Sequence, residues 1–464
     1  MSRWAIIGVI AFAGCARFES RPIIPAETAA RFEQRSLDDP GLKSFLETNL
    51  HREFTNWPAP VWNFEMLALA AVYYNPNLEV ARAQWRVSQA ETKTAGARPN
   101  PTLSVTPEYN FSAMSGVTPW LPGVSLDVPI ETASKRGKRI ARAQHLSDAA
   151  RLNLVTVAWQ MRSNVRASLL DFVAEQRREK VLQQQVELRE QLGERLERQA
   201  KAGLIATAEL TTLRISLGKA RSELADTQRQ LAEARARLAD AVGVPVSAFG
   251  VRQPGFDLAA IPAPDDLTSA EARRTALQSR TDILAALAEY AASESALQLE
   301  IAKQYPDIHL SPGYQFDQGD NKWHVGLSAE LPVLNQNQGP IAEAAARRAE
   351  SAARFGALQA RVSGEIDRAV AVLDANRKNQ VAMQSLASTQ RAQSQNAEAQ
   401  FKAGATDQLD VLNSQLELNV MALAELDALL KLHQSLGALE DAVQRPLEAN
   451  TAPPADITAS SLKK

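Results

Sequence analysis

Four stretches of this chain recur in the same order at nearly one offset. PTLSVTPEY (101–109) returns as PDIHLSPGY (306–314), and GVSLDVPI (123–130) as GLSAELPV (326–333). KAGLIATAEL (201–210) corresponds to KAGATDQLDV (402–411), and NPNLEVARA (75–83) shares its apolar spacing with RTDILAALA (280–288). The offset stays between 201 and 205 residues, so the chain is a duplication and whatever it folds into must be built twice.

Each copy predicts one plan. A helix of about 35 residues (62–97; 268–303) precedes a hairpin (101–131; 306–334). A very long helical stretch follows (137–201; 339–402), stops at Gly203 or Gly404, and returns as a second helix (207–242; 407–445). At 1.5 Å per residue each long stretch spans roughly 100 Å. Its apolar positions recur at three and four, through Val155, Trp159, the stem of Arg162, Val165, Leu169 and Phe172. Glu, Arg and Gln fill the rest, as in coiled-coil neighbours. The domains expected are a first repeat at 61–242, a Pro/Gly-rich link at 243–266 and a second repeat at 267–445. Residues 15–60 read as an extended N-terminal segment and 446–464 as a disordered tail.

The hairpins break the helical pattern by alternating strictly. Leu103, Val105, Pro107, Tyr109 and Phe111 alternate with Thr102, Ser104, Thr106, Glu108 and Asn110, and Val124, Leu126, Val128 and Ile130 with Ser125, Asp127, Pro129 and Glu131. In the second copy Ile308, Leu310, Pro312, Tyr314 and Phe316 oppose Asp307, His309, Ser311, Gly313 and Gln315. Past the turn DQGDN, Trp323, Val325, Leu327, Ala329 and Leu331 oppose Lys322, His324, Gly326, Ser328 and Glu330. A period of two over about ten residues fits a transmembrane strand, apolar to lipid and polar to a lumen. It also fits a soluble sheet packed on helices. Aromatics Tyr109, Phe111, Trp120, Tyr314, Phe316 and Trp323 near the tips suit an interfacial girdle. Hydrocarbon tolerates no open sheet edge, and four strands are fewer than the roughly eight of the smallest barrels. Membrane strands would therefore require several copies to share one barrel.

A formal net charge of −2 gives no basic excess for nucleic acid. MSRWAIIGVIAFAGCARFES carries Arg3, an apolar run from Trp4 to Phe12, then small residues before Cys15, the only cysteine. The run is too short to span a membrane, and residues 1–14 read as a secretory signal. Its end resembles a bacterial lipobox, which implies a lipid on Cys15. Ala16 stands where an inner-membrane-retained lipoprotein has aspartate, so the implied destination is the outer membrane.

Two copies of helix–hairpin–long helix–tip–helix after such a start resemble the TolC-type outer-membrane efflux family over residues 60–445. PIETASKRGKRIARA (129–143) and PGYQFDQGDNKWHVGLSAELPVLNQNQGPIAEAAARR (312–348) are most similar to its heavy-metal, CzcC-like branch. The resemblance implies a mainly α fold with a β-barrel contribution, in which a homotrimer forms a twelve-stranded barrel continued by a periplasmic α-helical tunnel. It implies a passive exit duct served by a periplasmic adaptor and an inner-membrane RND-type transporter. Heavy-metal cations are the favoured cargo, with organic compounds as the alternative. A non-channel periplasmic coiled-coil scaffold or adaptor is the alternative of another class.

By the same resemblance, Asp410 occupies an acidic-ring position of the periplasmic gate. Asn413 stands at the second ring position, Asp407 is close enough to compensate, and Glu209 is the first-copy counterpart. Asp410 reads equally well as a first-turn acid of a helix. Gly203, Gly404, Lys201 and Lys402 mark the tips expected to dock the adaptor. KRGKR (135–139) is placed where a strand leaves the membrane, against headgroups or lumen, or as a solvated cluster. His309 and His324 share the polar face but sit several residues apart in register, with no closed metal-site spacing, so they read as lumen-lining without bound metal. No phosphate loop, zincin or nucleophile-elbow motif appears, so neither catalysis nor a cofactor is expected.

Overall fold

The computed structural model describes residues 17–250 and 252–447. The expected signal, Cys15 and nearly all of the expected tail lie outside them. The segment expected to be extended instead carries two helices, α1 (Pro25–Glu33) and α2 (Pro40–Leu50). Both begin on proline, which breaks a helix interior but suits its first position, where the missing N–H has no partner to lose. The Asp39 carboxylate caps α2 by accepting from the Gly41 and Leu42 N–H groups. Leu42 and Leu46 then enter the main core, and Arg35 ties the segment to the first repeat by donating to the Tyr74 and Gly243 carbonyls at 2.9 and 2.6 Å.

The first repeat runs β1 (Val61–Trp62), α3 (Phe64–Tyr74), α4 (Pro76–Ala95), β2 (Thr102–Tyr109), β3 (Trp120–Ile130), α5 (Lys135–Lys201) and α6 (Thr207–Val242). A 3-10 turn (Val246–Phe249) and β4 (Gln253–Pro254), paired in parallel with β1, form the link. The second repeat follows as α7 (Asp265–Thr268), α8 (Ala270–Ser279), α9 (Thr281–Ala302), β5 (Ile308–Asp317), β6 (Asp320–Ala329), α10 (Gln338–Lys402) and α11 (Gln408–Val443). The single 35-residue helix expected in each copy is two helices. Extended residues interrupt it at Asn75 (ψ 122°) and Arg280 (ψ 139°), which are equivalent in the duplication. Asn75 closes α3 and caps α4 through Asn77 N, with Pro76 at the first helical position.

α5 packs against α4, α6, α9 and α11, so a first-repeat helix is in direct contact with two second-repeat helices. The apolar core sits about the middle of the long helices α5 and α10, against the C-terminal turns of α6 and α11. It joins Trp62, Leu67, Leu154, Leu169, Leu238, Phe249 and Leu258, and a second cluster joins Val362, Ile366, Leu373, Leu432 and Leu439. A small third cluster, Leu192, Leu213 and Leu412, couples the two helix pairs nearer their tips.

All four long strands form one antiparallel sheet in the order β2-β3-β5-β6. The hairpins of the two repeats are joined edge to edge by β3 and β5. Register places Val105, Val124, Tyr314 and Trp323 in one row across the sheet, so its apolar residues share a single face.

Candidate functional site

That apolar face is bare. Val105 is 63% exposed, Val325 70% and Leu327 73%, and no residue of these four strands belongs to any of the core clusters. A soluble sheet would bury this face on the helices, and this one does not. Within the sheet β2 and β6 pair on one side only. Tyr109 stacks edge-on with Trp120 and Tyr314 tilts against Trp323, with ring centroids 5.1 and 5.0 Å apart. The two pairs are staggered along β3, because Tyr314 is level with Val124 and not with Trp120.

The opposite face is polar and has its own order. The Asp127 carboxylate accepts from Ser311 Oγ at 2.9 Å through one oxygen and meets His309 Nδ1 at 2.9 Å through the other. His324 lies against Gly313 four residues further along β5, where an added Cβ would fall 2.4 Å from its Nε2. Glycine there makes room for the ring. The two histidines do not share a site, as the register implied.

The basic cluster KRGKR opens α5 just after β3 ends. It fastens the sheet to the helices. Lys135 is buried and donates to Asp307 Oδ1 at 2.7 Å and to the Tyr305 carbonyl at 2.6 Å. Arg136 donates to the Gly96 carbonyl at 2.7 Å, and Arg139 forks onto Glu131 while reaching the Ala95 and Ala97 carbonyls. Ser134 and Asn337, both in the left-handed region, make the equivalent turns into α5 and α10. The second copy lacks the basic residues and uses Asn337 Nδ2 on the Glu300 carbonyl at 2.7 Å instead.

At the far end, both helix pairs reverse alike. Gly203 (φ 76°) and Gly404 (φ 75°) take the left-handed conformation, and the following N–H groups bond back to the Gln199 and Gln400 carbonyls at 2.9 Å. Asp407 caps α11 by accepting from Asp410 N at 3.0 Å, and the Asp410 carboxylate accepts from Thr406 Oγ1. The first copy has Ala206 at the capping position and no such bond. Asp410, Asn413, Glu209, Lys201 and Lys402 are all exposed at this end. Asp407 is exposed too and serves as the helix cap, while Asp410 stands in the first turn of α11.

Sequence reasoning missed a buried ionic cluster. Arg162, read as an apolar stem, has its guanidinium 3.3–3.4 Å from the Glu440 carboxylate, which also pairs with Arg166 and accepts from Leu447 N at 2.6 Å. The Phe64 ring lies under Arg162 at 5.0 Å. Removing one member of such a buried pair costs about 3–5 kcal/mol. Nearby, Arg280 forks onto Asp282 at 3.0 and 2.7 Å and donates to the Ala442 carbonyl. Burial pushes the Asp441 carboxyl up against the pull of Ser163 and the three arginines. The signal was faint because partners such as Arg162 and Glu440 are 278 residues apart. Among the described residues no group of three or more His, Cys, Asp or Glu is arranged to hold a metal, and no helix is long and apolar enough to cross a membrane.

A duplicated chain with helices of about 100 Å and a sheet bare on its apolar face defines a membrane channel-forming class of fold. The family model described as outer membrane efflux protein matches residues 70–244 and 272–443, so the chain belongs to that family and to the outer membrane. It is 25% identical over 281 residues to the cobalt-zinc-cadmium resistance protein CzcC of Cupriavidus metallidurans, a match spanning 60% of this chain and 64% of the relative, under two thirds of its length. Its fold resembles the outer-membrane channel OprN (TM-score 0.68, 19% identity, 90% of this chain and 92% of that one). It also resembles CusC, described for its folding and transmembrane channel formation (TM-score 0.66, 18% identity, 84% of this chain and 94% of that one).

Proposed function

We propose that three copies of this chain close a twelve-stranded barrel and form the exit duct of a tripartite export system. The observation that carries this is the four-stranded sheet with its apolar face uncovered and each outer strand paired on one side only. Such a sheet is stable in a bilayer only when neighbouring sheets satisfy its edges. The long helices then continue the barrel into the periplasm, and their tips at Gly203 and Gly404, with Lys201 and Lys402, meet a periplasmic adaptor. An inner-membrane RND-type transporter supplies the energy. Asp410, with Asp407, Asn413 and Glu209 around it, lines the gate and favours cations. The likeness to CzcC supports heavy-metal cations as cargo. Acylation of Cys15 adds a second attachment to the outer membrane.

The test is the native mass of the detergent-extracted protein after subtraction of detergent. A value near three times 50.5 kDa is expected, and a stable monomer removes the shared barrel. Cargo is tested separately by the tolerance of a deletion strain. Zinc, cobalt or cadmium tolerance should fall, and unchanged metal tolerance with lost drug tolerance transfers the cargo to organic compounds.

A further inference from the structure

We propose that His309, oriented by Asp127, is a transit site for borderline divalent cations such as Zn²⁺ on the polar face of the sheet, one site per chain. The proposal rests on the duct reading and adds to it where in the barrel the cargo pauses. His309 comes from β5 of the second repeat and Asp127 from β3 of the first, and the two meet because the hairpins pair across the duplication. The carboxylate can only accept, so in the neutral, metal-binding form of the imidazole the proton sits on Nδ1 and is donated to Asp127 Oδ2 at 2.9 Å. This leaves Nε2 as the unprotonated, lone-pair nitrogen. No protein hydrogen bond to Nε2 is found among the described residues, and the side chain is 40% exposed.

Metal-binding histidines characteristically donate their other ring nitrogen to a carboxylate, which fixes the tautomer and makes the ligating nitrogen more basic. Here that carboxylate is itself held by Ser311 Oγ at 2.9 Å, so the dyad is supported before any metal arrives. The rest of the coordination sphere would be water, since among the described residues no third ligating side chain joins the pair. A single imidazole with a carboxylate behind it binds Zn²⁺ or Co²⁺ in preference to Mg²⁺, which demands oxygen ligands. It also binds weakly enough to release, which a conduction pathway requires. His324 shares the polar face, but among the described residues no carboxylate stands behind it: its ring lies against Gly313.

The experiment is equilibrium dialysis of the purified full-length protein in detergent against zinc chloride, with magnesium chloride in parallel. Wild-type protein is expected to bind one Zn²⁺ per chain more than His309→Gln. Asp127→Asn, which keeps hydrogen bonds to both neighbours, should require on the order of tenfold more zinc for the same occupancy. His324→Gln should match wild type, and magnesium should not occupy the site. Equal zinc binding by wild type and His309→Gln overturns the proposal, as does undiminished zinc affinity in Asp127→Asn. Native mass is measured on every variant, so a lost trimer is distinguished from a lost site. A wild-type trimer without the extra zinc defeats this site alone, whereas a monomer defeats the duct.

Discussion

Lys135 Nζ lies 2.7 Å from Asp307 Oδ1, so the first residue of one repeat's long helix is fastened to the residue that precedes the other repeat's strand. Thr132 strengthens the same joint, its N–H meeting Asp307 Oδ1 at 2.9 Å and its hydroxyl the Pro306 carbonyl at 2.6 Å. Lys135→Met keeps the buried stem and removes the charge. A loss of about 1.5–3 kcal/mol is expected, the range for hydrogen bonds to charged groups. Thermal unfolding of the detergent-solubilised protein reads it directly, and Lys138→Met, whose longest-reaching contact is 3.4 Å to Gln298, should change little.

The sheet's two faces predict opposite responses to one charge. Leu327→Lys places an ammonium on the apolar face, where a lipid-facing lysine costs about 2–4 kcal/mol near the bilayer midplane. Ser328→Lys, one residue along β6, places it on the polar face. The first variant should yield little trimer from outer membranes, while the second should assemble and carry an altered current in planar bilayers. Equal yields from both would mean that the apolar face does not meet lipid.

His433 is fully buried, with Nε2 donating to the Leu258 carbonyl at 2.9 Å and its ring edge-on to Phe256. Burial above all, with the charges of Arg166 and Arg177, lowers its pKa below the ordinary 6.5, against Leu258 and Asp257, which pull the other way. The unfolded chain therefore binds this proton more readily than the folded one, and the histidine's contribution to stability is present above pH 6.5 and lost as pH falls below it. His433→Gln retains a donor for Leu258 without the titration. Its melting temperature should fall less steeply than that of wild type between pH 7 and pH 5. Asp441 and Glu175, both raised first by burial, act in the opposite direction and are common to both proteins.

Asp407 and Asp410 sit three residues apart at the tip and should be separable. Asp407→Ala removes the cap of α11, at about 1 kcal/mol, and should speed amide exchange over residues 408–411. Asp410→Asn leaves that cap in place and removes an exposed charge. It should lower the cation-to-anion permeability ratio read from reversal potentials across a salt gradient. A ratio unchanged in Asp410→Asn but reduced in Asp407→Ala would exchange their roles.

Much of the architecture was legible because it is local or repeated. The strands show a period of two, the helices a period of three to four, and the tips end on glycines whose positive φ has a plain sequence mark. The duplication showed that each reading had to hold twice. Residues 15–60 read as extended, yet Pro25 and Pro40 begin helices there, and Pro76 starts a new helix inside a stretch that read as continuous.

What the sequence by itself determined is therefore the set of elements, their order and the two-faced character of each strand, since these depend on side chains a few residues apart. Tertiary structure alone decided which residues meet across the repeats: Arg162 with Glu440, Lys135 with Asp307, and His309 with Asp127. Each pair is separated by more than 170 residues, and its members meet only once helices pack and β3 finds β5. The same packing left the sheet's apolar face uncovered. Alternation fits a lipid-facing sheet and a helix-packed one equally well, so only the placement of the core away from the strands could distinguish them.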